Sequence, residues 1–164
     1  MPHLDLDDSK AFKQWSETKR RLYDKRTDPD FQLLIDIDAD GQIASESMRE
    51  IRAQIEGFNF ALYRMSDVSA DTPGALRNIG RQLGLRELDK NLCAEEDRLT
   101  RLTVQKQGRA NLYIPYSDKA IGWHTDGYYN PIHQRVLAMV LHCEQPAASG
   151  GENELLDPDM VYIH

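Results

Sequence analysis

The chain has 164 residues, 40% hydrophobic and 29% charged, so it is long enough to bury one core and too apolar for wholesale disorder. A formal net charge of -7 works against nonspecific attraction to nucleic acid or to an anionic membrane. The longest apolar run, VLAMVL at 136–141, is far short of a membrane span, and the acidic start MPHLDLDDSK has no apolar signal core, so a cytoplasmic location is expected.

Residues 9–26 read as a helix capped by Ser9, with Phe12, Trp15, Lys19 and Leu22 along one face. Pro29 separates it from a short strand, FQLLIDI, that ends at the DADG turn of 38–41. After Ser45 comes SMREIRAQI, where Met48, Ile51 and Ile55 give a second amphipathic helix. Gly57 closes it, and FNFALYRM reads as a buried strand. A third helix covers 73–83, with Pro73 in its first turn and Gly84 as its stop.

The acidic stretch 89–97 reads as a solvated connection. LTRLTVQ at 99–105, NLYIPY at 111–116 and RVLAMVLHC at 135–143 are strand candidates, PAASGGEN is a loop, and LLDPDMVYIH begins a further element. Helices first and short strands later favour an α+β domain with an antiparallel sheet or barrel over a doubly wound sheet. A jelly roll needs eight strands, and only three or four candidates follow residue 99, so the barrel is expected to be incomplete. Its open edges would invite self-association.

The chemistry concentrates in IGWHTDGYYNP, 121–131. On a locally extended strand His124 and Asp126 share a face, and an imidazole with a carboxylate supplies two of the three ligands of the 2-His-1-carboxylate facial triad of non-haem Fe(II) oxygenases. The plainer alternative is a strand-end His hydrogen-bonded to its neighbour's carboxylate. Cys143 reads as a small buried side chain, and its neighbour His142 points to the opposite strand face, so the two do not form a thiolate–base pair; Cys93 stands alone. Tyr113, Tyr116, Trp123, Tyr128 and Tyr129 surround the site in sequence without the positive charge of a nucleic-acid track, which favours packing and a pocket wall. Asn111 reads as a strand-entry turn or a pocket amide.

WHTDG at 123–127, LHC at 141–143, and SGGEN followed by a hydrophobic pair and Asp157 occur in an order that resembles the taurine dioxygenase and TfdA-like family of Fe(II)- and 2-oxoglutarate-dependent oxygenases. The resemblance implies a partial double-stranded β-helix (jelly roll) with N-terminal helices. Residues 1–98 would then be a helical, sheet-flanking region and 99–164 an incomplete catalytic portion. It also implies that His124 and Asp126 are the first two iron ligands. Asn153 falls where family members often carry Thr or Ser against the carboxylate of 2-oxoglutarate; an amide can donate there too, or merely cap the turn. The distal His and the cosubstrate-binding Arg of the family lie well beyond the double-Gly loop. Arg135 comes too early for that role, His133 is placed to line an entrance, His142 to pack within a strand, and His164 has no catalytic role.

The implied reaction is oxidative decarboxylation of 2-oxoglutarate at Fe(II), coupled to hydroxylation of a small-molecule substrate. The alternative is a non-catalytic oxygenase-like fragment or a small-molecule binding module. A third reading is another metal-dependent enzyme, such as a hydrolase, built on His124 and Asp126.

Overall fold

A computed structural model describes residues 5–26, 28, 31–67, 70–88, 96–108 and 112–164. Pro29, Cys93 and Asn111 lie outside the described residues. Two compact units emerge, Met1–Ala75 with Cys143–His164 and Leu76–His142, and the boundary falls inside a helix.

In the first unit, helix α1 spans Ser9–Lys25. Its cap is Asp8 rather than Ser9: the carboxylate accepts from the amides of Lys10 and Ala11, two donors that the first turn leaves without a helical partner. Strand β1 (Leu34–Ile37) turns Ile35 and Ile37 inward and Leu34 and Asp36 outward, the two-residue period of a half-buried strand. The chain then reverses at Gly41, whose amide donates to the Asp38 carbonyl at 2.9 Å. Gly41 has φ of +77°, and a Cβ there would run into the carbonyl of Ala75.

Helix α2 (Ser45–Phe58) buries Ile51, Gln54, Gly57 and Phe58. It continues one residue past Gly57 and stops at Asn59, which takes the left-handed conformation at φ 62° and donates its amide to Ile55. Strand β2 (Leu62–Met65) lies parallel to β1, with Leu34 opposite Leu62 and Ile37 opposite Met65. Gln54 ties the crossover together: its Nε2 donates to the Leu33 carbonyl at 2.9 Å, and its Oε1 accepts from the Leu62 amide at 3.3 Å. On the exposed face, Arg64 meets its register partner Asp36 through two hydrogen bonds of 2.8 and 3.1 Å.

Phe58 fills the space between α1 and the strand-entry segment, edge-on to Tyr23 at 5.3 Å and to Phe31 at 5.9 Å. The short helix α4 (Pro158–Ile163) packs on α1, where Tyr162 meets Phe12 and Trp15 at 6.0 and 6.4 Å.

Helix α3 (Thr72–Gln82) runs from the first unit into the second. It ends where the amide of Leu85 reaches back to the Gly80 carbonyl at 2.8 Å and Gly84 takes φ of +85°. Within the second unit, Asp97 receives Arg77 and Arg101 at 3.4 and 3.1 Å. The hydrogen bond from Arg101, followed by that from the Leu99 amide, holds the Asp97 carboxyl below the usual carboxylate range. Two 3-10 turns, Ile114–Tyr116 and Ile132–Gln134, interrupt an otherwise irregular path.

The expected jelly roll is overturned. Among the described residues the sheet consists of two parallel strands, open at both edges, and α-helices dominate the regular structure. The described parts of LTRLTVQ, NLYIPY and RVLAMVLHC form no ladder; one backbone bond, from the Gln105 amide to the Tyr116 carbonyl at 2.8 Å, links the first two. A strand satisfies its amides and carbonyls only through a partner strand, whereas a helix satisfies them within itself, so alternation in sequence does not suffice to make a sheet. The β1–α2–β2 crossover also departs from the expected antiparallel arrangement.

Gly41 and Gly84 separate two costs of substitution, because a Cβ at Gly84 meets open space. Gly84→Ala should lose about 1–2 kcal/mol for its left-handed backbone. Gly41→Ala should lose more, since the steric conflict with Ala75 adds about 1–3 kcal/mol. Urea unfolding midpoints of the two variants check the order.

Candidate functional site

His124 and Asp126 lie on an irregular stretch of the second unit, followed by a turn in which Gly127 has φ of +68°. The His124 Nδ1–H donates to the Gly122 carbonyl at 2.8 Å, so Nε2 is the ring nitrogen on the side of Asp126. That nitrogen stands 3.9 Å from Asp126 Oδ1, with side chains 42% and 51% exposed. Two ligands on adjacent octahedral positions, each bonded at about 2.1 Å, stand only about 3.0 Å apart. The pair is therefore near in space, wider than a facial pair, and open to water.

Asn153 belongs to the first unit and is exposed; its Nδ2 donates to the Gly151 carbonyl at 3.3 Å, a contact within its own loop. Gly150 and Gly151 both take positive φ, which accounts for the double glycine in that turn. His133 sits exposed in a 3-10 turn, His142 is half-buried, and His164 closes α4. Cys143 is exposed rather than buried. Of the aromatic residues around the site, Tyr116 is buried, while Tyr113, Trp123, Tyr128 and Tyr129 are exposed. Tyr128 and Tyr129 meet edge-on at 5.3 Å.

A family model described as "Taurine catabolism dioxygenase TauD, TfdA family" matches residues 7–164. The chain belongs to this family. No curated protein and no solved structure matches it.

Among the described residues, no group of three or more His, Cys, Asp or Glu side chains is arranged to hold a metal ion. The expectations of Fe(II), of 2-oxoglutarate as cosubstrate, and of a dioxygenase acting on a small-molecule substrate are corrected on that ground. The physical reason is convergence: a facial triad needs donors from separate strands brought to one point, and among the described residues the sheet has two strands, Leu34–Ile37 and Leu62–Met65, neither of which carries His124 or Asp126. A cleft of about 350 Å³ in the first unit is lined by Leu6, Trp15, Pro158, Asp159 and Tyr162, and holds none of His124, Asp126 or Asn153. Among the described residues no helix is long and apolar enough to cross a membrane.

The most developed polar cluster lies elsewhere. Asp157 is 3% exposed and Lys19 4% exposed, and the Lys19 Nζ bridges Asp157 Oδ2 at 3.0 Å and Asp159 Oδ2 at 2.7 Å. The Tyr23 hydroxyl donates to Asp157 Oδ2, and Asn59 Nδ2 donates to Asp157 Oδ1, both at 2.8 Å. Burial alone would raise the Asp157 carboxyl, but the hydrogen bonds from Asn59, Lys19 and Tyr23 outweigh it and hold the group below its usual range. Burial, with the hydrogen bond and charge of Asp157, pushes the Tyr23 phenol well up. The sequence carries a trace of this arrangement. Asp157–Pro158 is a cap followed by proline at the first helical position, and Lys19 lies on the apolar face of α1.

These positions should respond very differently to truncation. His124→Ala and Asp126→Ala should each stay within about 0.5 kcal/mol of the parent, as exposed side chains away from packing do. Lys19→Ala should cost about 3–5 kcal/mol, because it leaves the Asp157 carboxylate buried without its cation. Thermal and urea unfolding of the three variants measure the contrast.

Proposed function

We propose that this 164-residue chain is a non-catalytic, oxygenase-like portion of the TauD/TfdA family fold, with no iron-dependent turnover of its own. The observation that supports this reading most directly is the state of His124 and Asp126. They are exposed on a stretch outside the described strands, and no third donor among the described residues makes a ligand group with them. Its motif order is then a mark of lineage, while α1, the end of α2 and α4 are held together by packing and by the Asp157 cluster. A binding-module reading receives less support, because the two candidate ligands and Asn153 are solvent-exposed.

The test is turnover by the purified chain supplied with Fe(II), ascorbate, 2-oxoglutarate and dioxygen. Succinate formation and oxygen consumption should both remain at the level of the protein-free control. Succinate formation that requires Fe(II) and disappears in His124→Ala would contradict the proposal.

A further inference from the structure

We propose that ionised Asp157 is a latch that holds α4 on α1 and on the end of α2, and that α4 is the first element of this unit to detach when the carboxylate takes up a proton. One side chain performs two tasks. It is the docking anion for Lys19, Tyr23 and Asn59, and it is also the N-cap of α4, accepting from the Asp159 amide at 3.0 Å. A helix of six residues is too short to persist without docking, so losing the anchor also removes the helix.

Every element around the carboxylate contributes a group. From α1 come the Lys19 ammonium and the Tyr23 hydroxyl, with Arg26 over the Tyr23 ring at 5.3 Å and Arg20 donating to the Ile163 carbonyl at 3.3 Å. From the end of α2 comes the uncharged Asn59 amide, which also reaches Asp159 at 2.9 Å. From α4 itself comes the Asp159 carboxylate, on Lys19. When Asp157 is neutral, the ammonium of Lys19 loses its buried partner, and releasing α4 lets water reach it. The β1–α2–β2 crossover rests on Ile35, Ile37, Ile51 and Gln54, none of which depends on this carboxylate, so it stays folded.

The direction with pH follows from the geometry. A carboxyl held below its ordinary range contributes stability that is fully present above the usual aspartate pKa of about 3.9, and that is lost as pH falls through the lowered native value. The latch is closed at neutral pH and opens only in acid.

The test uses Trp15, which packs on Tyr162 of α4, in a Trp123→Phe background that leaves it the sole tryptophan. Its fluorescence is followed from pH 7 to pH 2 alongside far-UV circular dichroism and amide protection in Ile51–Phe58. The expected result is a Trp15 transition at a higher pH than the loss of α2 protection. In Asp157→Asn, Trp15 should already show its acid-form signal at pH 7, with α2 still protected and no further acid step before global unfolding. Coincident Trp15 and α2 transitions in the parent would overturn the proposal. So would an Asp157→Asn variant that keeps the early step, that stays docked at pH 7, or that loses α2 protection together with α4.

Discussion

The buried contact between Lys19 and Asp157 is the constraint that joins α1, the end of α2 and α4 in the first unit. An ammonium and a carboxylate taken out of water are costly unless their remaining hydrogen-bonding capacity is met. Here Tyr23, Asn59 and Asp159 meet it, which forces three pieces of chain far apart in sequence into one place. Asn59 can reach Asp157 because it adopts the left-handed conformation that ends α2, so the helix stop and the polar cluster are one feature. The apolar packing beside it, Phe58 against Tyr23 and Tyr162 against Phe12 and Trp15, supplies the hydrophobic surface that a lone ion pair would lack.

Lineage and a metal centre are recorded by different features of a chain. A family match over residues 7–164 reflects the order and spacing of many residues along the sequence. A metal centre depends instead on convergence of a few donors in space, and convergence depends on the scaffold. His124 and Asp126 are neighbours on one stretch of chain, so sequence brings those two near each other without any scaffold at all. The third ligand is the one that only tertiary structure can deliver, and among the described residues it is not delivered.

What could be read in the sequence was local. The period of Phe12, Trp15, Lys19 and Leu22 located α1 and its buried face, and Gly84 marked the stop of α3, because both signals act within a turn or two of helix. The cap at Asp8 in place of Ser9 is a one-residue matter of which oxygen reaches the first free amides. The pairing of β1 with β2 was harder, since a parallel partner lies across an intervening helix and nothing near either strand announces it. RVLAMVLHC reads as a strand by composition, but most of its large side chains stand in water, because strand propensity is a statement about fitting a sheet surface that must exist first. Lys19 was visible on the apolar face of α1, but its partner lies 138 residues further along the chain, and no spacing rule connects them.

The most direct measurement is a nuclear Overhauser spectrum of the isotopically labelled 164-residue chain at neutral pH. The expected result is cross-strand contacts pairing Leu34–Ile37 with Leu62–Met65, contacts between Tyr162 and both Phe12 and Trp15, and no cross-strand contacts joining 99–105 to 135–143. A continuous network of cross-strand contacts through those later segments, bringing His124 and Asp126 beside a third histidine or carboxylate, would contradict it.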